Sequence, residues 1–285
     1  MLPHFLCIGA QKAGTTWLHV NLSQHPDLWL PPIKEIHYFD YKENNFSPAI
    51  IEQLFGNEGR NRRWRRITKN RIKLNLKDIN IQRLLWDINY LFNRQNNDNW
   101  YSSLFDLCQN KLIGEITPAY STLSLDSVFH IHQLMPNAKI IFIMRNPIER
   151  AWSYFFSYMS KRNRVVDSFS VEEIINNLES NYSRSRGSYL KTLETWRTYY
   201  PKEQFFIVFF EEIVEQPKNL LKKICDFLEV STCINNISEN KINSFGNNGV
   251  IPEPIIQYSV QIYREEILIL NKQYGGYSNI WLEYI

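Results

Sequence analysis

Three groups of residues have the types and spacing needed to bind and handle charge. The first is Gly9-Ala10-Gln11-Lys12-Ala13-Gly14-Thr15-Thr16, where small residues surround one lysine and lead into two hydroxyls. Small side chains let backbone N–H groups turn toward an oxyanion, and a helix starting at Thr15 adds its positive N-terminal end. Lys12 brings a full charge, and Ala13, Gly14, Thr15 and Thr16 bring donors. The second group is Lys34-Glu35-Ile36-His37. In an extended segment Glu35 and His37 share one face, while Lys34 and Ile36 point away. A carboxylate and an imidazole converging on one spot could take a proton from an acceptor and orient it. The third is Arg145, which closes the apolar run Lys139-Ile140-Ile141-Phe142-Ile143-Met144. An arginine at a strand end can bind phosphate directly through its fork of N–H groups.

Spacing separates the loop from that of a nucleotide kinase. Gly9 and Gly14 are as far apart as the two glycines of a Walker A loop, but Thr15 stands where the lysine belongs. The best strand ends in Arg145 instead of a Mg²⁺-binding aspartate. The expectation is a metal-free reaction at an anionic ligand. A P-loop nucleotide kinase with a displaced lysine, or a nucleotide-binding module without transfer activity, is the alternative.

To position these groups the chain must alternate strands and helices. Phe5 to Gly9, Leu112 to Ile116, Lys139 to Met144 and Gln204 to Phe210 read as core strands, and Ile36 to Asp40 as a short extended piece. Helices are expected over Thr15 to Gln24, Ser124 to Leu134, Gly187 to Tyr200, Pro217 to Leu228 and Pro254 to Tyr274. Another starts at Asn146 and Pro147, which suit a cap and a first helical position. This pattern predicts one α/β domain, residues 1–285, with a central parallel sheet flanked by helices. Residues from about 43 to 110, rich in Asn, Arg and Lys, break the rhythm and read as a basic variable insertion.

The run Gln11-Lys12-Ala13-Gly14-Thr15-Thr16-Trp17-Leu18 resembles the 5′-phosphosulfate loop of sulfotransferases that use 3′-phosphoadenosine 5′-phosphosulfate (PAPS). The run from Ile141 through Arg145, Asn146, Pro147, Ile148, Glu149 and Arg150 to Ser153 resembles their 3′-phosphate segment. Lys34 to Asp40, Trp100 to Phe105, Gly114 to Tyr120, and Gly187 with Tyr189 and Trp196 are similar to the branch of heparan sulfate and bacterial natural-product enzymes. The resemblance implies a P-loop-kinase-like fold, PAPS as donor and 3′,5′-diphosphoadenosine (PAP) as product. It implies Lys12, Ala13, Gly14, Thr15, Thr16, Arg145, Ser153 and Tyr189 as donor-binding residues. It further implies Glu35 as general base, with His37 assisting or itself the base, and Lys12 on the leaving side. Family members often close a basic, Gly-containing loop over the nucleotide near the C-terminus. Here Ser238 to Val250 offers only Lys241 for that task.

Composition narrows the acceptor. A net charge of +3 permits an anionic substrate without calling for nucleic acid, and no readout motif accompanies the basic residues. No run is long and apolar enough to span a membrane, and Met1 to Leu6 does not read as a signal peptide, so a cytoplasmic protein is expected. That favours a small-molecule or carrier-bound acceptor, as in natural-product tailoring, over a glycan. From Arg60 to Lys73, eight of fourteen residues are basic. They could dock an anionic glycan, hold an acidic carrier or membrane surface, or form a solvated face. Metal binding is not expected, because His130 and His132 diverge by about 200° on a helix. A Cys225–Cys233 disulfide is not expected in a reducing compartment.

Overall fold

The computed structural model describes residues 1–46, 49–108, 110–160, 168–232 and 249–285. The apolar run Phe5–Gly9 forms β1 and is buried along its whole length, as befits a strand with helices on both faces. Leu28–Trp29 (β2), Leu112–Ile116 (β3), Lys139–Met144 (β4) and Phe205–Phe209 (β5) complete the sheet. Its order is β2-β3-β1-β4-β5 and every pairing is parallel. Phe5 pairs with Gly114 on one side and Lys139 on the other. Gly114 lets the Phe5 ring lie across β3, since a Cβ there would meet that ring at 2.0 Å. Because β1 and β4 are parallel neighbours, the loops leaving their carboxyl ends emerge side by side, where open α/β sheets hold ligands.

Helix α1 (Thr15–Leu22) follows β1 directly. The long passage to β3 carries α2 (Phe39–Glu43), α3 (Ile50–Phe55), α4 (Gly59–Lys77), α5 (Ile81–Phe92) and α6 (Asp98–Ser103). α7 (Leu125–Leu134) and α8 (Pro147–Ser160) flank β4. α9 (Val171–Glu179), α10 (Asn181–Ser185) and α11 (Tyr189–Arg197) lead to β5. α12 (Phe210–Glu215), α13 (Pro217–Leu228) and α14 (Glu253–Tyr274) follow it, ending in a 3₁₀ segment Gly276–Tyr284. The start of α8 is as the sequence predicts: Asn146 Oδ1 accepts from the Ile148 N–H at 2.9 Å.

The insertion is helical, and its indoles tie its own helices to one another. Trp64 Nε1 donates to the Leu91 carbonyl at 3.0 Å, Trp86 Nε1 to that of Leu104 at 2.7 Å, and Trp100 Nε1 to that of Asn89 at 3.2 Å. One expected element is corrected. The stretch from Ile36 to Asp40 is not extended, because Glu35 (φ 66°) and His37 (φ 57°) are both left-handed and α2 begins at Phe39.

Candidate active site

The candidate phosphate loop, residues 9–16, turns as its residue types require. Gly14 is left-handed at φ 93° and precedes the first turn of α1, and a Cβ there would press on Ile213 Cδ1 at 2.6 Å. Only glycine takes that turn without strain. Lys12 also turns left-handed (φ 71°), and its carbonyl lies 3.4 Å from Arg145 Nη1. The two predicted anion-binding segments therefore meet. Arg145 is held from several sides: its guanidinium pairs with Glu149 at 2.8 Å and packs over the Phe210 ring, and its carbonyl accepts from the Tyr189 hydroxyl at 2.8 Å. Tyr189 is fully buried, so it braces the backbone of Arg145. Glu149 also accepts from the Tyr284 hydroxyl at 3.1 Å, and Trp281 Nε1 donates to Glu211 at 2.8 Å. The end of the chain thus backs this side of the site.

Beside the loop lie two arginines whose role the sequence reading missed. Arg150 is fully buried, and its Nε and Nη1 have no acceptor; Arg186 Nε is buried and unpaired as well. Burial, reinforced by the nearby positive charge of Arg150, lowers the pKa of Arg186. Neither forms an ion pair among the described residues. Arg150 Nη2 donates to the Ser183 carbonyl at 2.8 Å, and Arg186 stacks on Tyr182, whose hydroxyl receives Gln11 Nε2 of the loop at 3.0 Å. Buried guanidinium donors without acceptors are costly, and a phosphate is the kind of group that would satisfy them. The residues present therefore fit a phosphorylated donor. Ser153 is buried on the same face of α8, one turn beyond Arg150. Lys241 lies outside the described residues, as does Cys233.

The acid–base group assembles differently from the expectation. Glu35 and His37 do converge, with Nε2 of His37 3.4 Å from Glu35 Oε2, but through left-handed backbone. That turn also brings in Lys34, which the extended reading had pointing away. Its Nζ lies 3.1 Å from Glu35 Oε1, 3.2 Å from Thr15 Oγ1 and 3.1 Å from Thr16 Oγ1. Lys34 thus joins the phosphate loop to the candidate base. The other ring nitrogen of His37 meets Asp40 Oδ2 at 2.8 Å. With a carboxylate near each nitrogen, the protonated ring can donate to both. Burial opposes the charge on His37, but Asp40 and Glu35 outweigh it and raise its pKa. Burial likewise opposes ionisation of Glu35. The His37 hydrogen bond and the charges of Lys34, His37 and Arg63 overcome it and hold the carboxyl well below its usual range.

The insertion supplies the clamp on this strained loop. A left-handed non-glycine residue costs on the order of 1–3 kcal/mol and persists only when its surroundings hold it. Arg63 Nη2 donates to the carbonyls of Lys34 (3.1 Å) and Glu35 (3.0 Å), and Arg94 Nη2 to that of His37 (2.7 Å). The Tyr38 N–H donates to the Tyr120 hydroxyl at 3.1 Å, which in turn donates to Glu115 in β3 at 2.7 Å. The basic run is therefore not simply a solvated face. Arg63 enters the site, Arg65 Nη1 caps the carbonyls of Gln53, Leu54 and Gly56, and Arg71 pairs with Asp87.

Among the described residues no group of three or more His, Cys, Asp or Glu is arranged to hold a metal ion. His130 faces Asp98 at 2.9 Å whereas His132 stacks on Tyr199, the divergence expected of their spacing.

The family model described as "Sulfotransferase family" matches residues 3–233. Among curated proteins, the chain is 25% identical over 248 residues to a bifunctional heparan sulfate N-deacetylase/N-sulfotransferase of Drosophila melanogaster. That match covers 80% of this chain and 20% of the relative. It is 24% identical to carbohydrate sulfotransferase 15 of Rattus norvegicus, covering 80% of this chain and 44% of the relative. The chain thus spans between a fifth and less than half the length of these relatives. In fold it is similar to a sulfotransferase from Alicyclobacillus acidocaldarius (TM-score 0.67, 22% identity, 99% of each chain). It is also similar to a sulfotransferase domain from the curacin biosynthetic pathway (TM-score 0.53, 19% identity, 81% of this chain and 75% of that one). A third similar structure is mouse sulfotransferase SULT7A1 complexed with PAP (TM-score 0.53, 14% identity, 99% of this chain and 89% of that one).

Proposed function

The chain belongs to the sulfotransferase family, and on that premise we propose that it transfers a sulfuryl group from PAPS to a hydroxyl or amine of a small-molecule or carrier-bound acceptor. One observation carries this reading: Lys34 touches both hydroxyls of the phosphate loop and the carboxylate of Glu35, so the donor and proton-accepting halves of the site share one contact. The donor supplies an activated sulfuryl group when bound. Everything else falls to the chain. Arg145, Arg150, Arg186 and Ser153 hold phosphate, and the 12–16 backbone with the Thr15 and Thr16 hydroxyls cradles the phosphosulfate end. Lys12 and Lys34 offset negative charge that grows on the leaving side. Glu35, already ionised, takes the acceptor proton, while His37, doubly bonded to Glu35 and Asp40, keeps the carboxylate aimed.

The curacin-pathway domain supports a tailoring role on a small or carrier-bound acceptor. A glycan acceptor is the second reading, favoured by the names of the curated relatives. Calorimetric titration with PAP and with ATP–Mg²⁺, each with and without chelator, tests the donor. PAP should bind more tightly than ATP and ignore the chelator, and Glu35→Gln should keep that affinity while losing about 10²–10⁴-fold in turnover. ATP binding that needs Mg²⁺, with none for PAP, would return the loop to the kinases. Screening acceptors with the same enzyme then separates a small hydroxyl or amine from a glycan.

A further inference from the structure

The far end of the insertion is built inside out. Where α4 turns into α5, the surface between the two helices is polar. Arg71 Nε and Asn75 Nδ2 bind the two oxygens of Asp87, which is buried, and Arg83 binds Asn75 and Asp78. The aliphatic side chains face outward instead. Leu76 and Ile79 are 79% exposed and Ile81 69%, with Ile72, Leu74 and Leu85 exposed around them. Exposed apolar surface of this extent on a single projection marks an interaction site.

Geometry and charge select the occupant. Successive members of Ile72, Leu74 and Leu76 step by about 200° around α4, so Ile72 and Leu76 leave one side of the helix and Leu74 the opposite side. A rigid partner covers one face of such a tip, whereas fluid acyl chains can surround it. The same helix carries Arg62, Arg66, Lys69, Lys73 and Lys77, all exposed and spaced to form one ridge, and it contains no acidic residue. A second copy would bring like charge against that ridge. Aliphatic side chains ringed by lysine and arginine match an anionic lipid surface, into which such elements dip without spanning it. No helix of the described residues is long and apolar enough to cross a membrane.

We propose that the α4–α5 tip inserts into the interface of anionic membranes and holds the enzyme there. The inference does not depend on the reaction catalysed.

The test uses the full chain and vesicles of phosphatidylcholine, with and without about a third phosphatidylglycerol. Co-sedimentation should show binding at least about tenfold stronger to the anionic vesicles and weakening with salt. Lys69→Glu combined with Lys73→Glu should reduce it, and Leu76→Ser combined with Ile79→Ser should abolish it, with PAP affinity and circular dichroism unchanged. An Ile79→Trp variant gives a direct reading, because its emission should shift to the blue on adding anionic vesicles. No binding to either vesicle, or binding untouched by the Leu76 and Ile79 changes, overturns the proposal. So does self-association through the tip without vesicle binding, which would make this surface a protein interface.

Discussion

Lys34 is the residue on which the two halves of the site turn, and its substitution separates their roles. Lys34→Met keeps the side-chain length but removes the charge between Thr15, Thr16 and Glu35. Turnover should fall by about 10²-fold or more, while PAP, which carries no sulfuryl group, should bind within a few-fold of wild type. Loss of PAP binding instead would place Lys34 in the nucleotide pocket alone. The pH profile follows from the neighbouring charges. Glu35 is held below its ordinary range, so its ionised form persists well into acid, while the stability its pairing contributes is complete above the ordinary carboxyl range and is lost as pH falls from there through the lowered value. His37 is held above its ordinary range, so its contribution is complete below about pH 6.5 and is lost as pH rises through the raised value. Activity should therefore decline on the alkaline side as the clamp loses its proton, and His37→Gln should flatten that limb in a kcat titration. Glu35 and His37 converge as the sequence suggests but through a left-handed turn instead of the extended segment expected, because residues two apart can meet through several backbone conformations. Lys34 escapes the sequence because its direction depends on the left-handed turn at Glu35, for which no glycine or asparagine gives a sign.

Four of the five strands, β1, β3, β4 and β5, are plain in the sequence, since long apolar runs bounded by Gly, Pro and Asn admit few other readings, whereas the two-residue β2 leaves no such run. The loop that carries Lys34, Glu35 and His37 is not plain either, because its conformation is imposed from outside. Arg63 of α4 and Arg94, just beyond α5, hold the carbonyls of the two left-handed residues, and both come from the stretch that reads as a variable insertion. A charge run discloses neither which arginine turns inward nor what it meets. Arg94→Ala tests this arrangement. The carbonyl of His37 would lose its charged donor, and Tyr41 and Trp100 the cation that packs on them. We expect kcat to drop by about tenfold or more, in keeping with roughly 1.5–3 kcal/mol for a hydrogen bond to a charged group. PAP affinity should be unchanged, and Arg94→Lys should recover part of the rate. Equal losses in kcat and PAP binding would mean that the substitution disturbs the whole sheet edge.

At the scale of the molecule, one parallel sheet gathers distant stretches of chain at its carboxyl edge: the loop after β1, the arginine after β4, and the helix ends that follow β5. The 3₁₀ segment after α14 adds a further stretch, since Tyr284 bonds Glu149 and Glu149 holds Arg145. The N-terminal amine, by contrast, pairs with Asp106. This asymmetry bears on how the protein is handled at the bench. An affinity tag fused after Ile285 would hang one residue from a side chain two contacts removed from the Arg145 guanidinium, which we propose binds phosphate, whereas a tag before Met1 would not. Loss of one such hydrogen bond corresponds to about 2–10-fold in affinity, so the C-terminally tagged protein should bind PAP more weakly by that factor. Cleaving the tag should restore it, and matched affinities for both tagged forms would show that Tyr284 carries no such influence. The choice of fusion end is then a choice about the donor site.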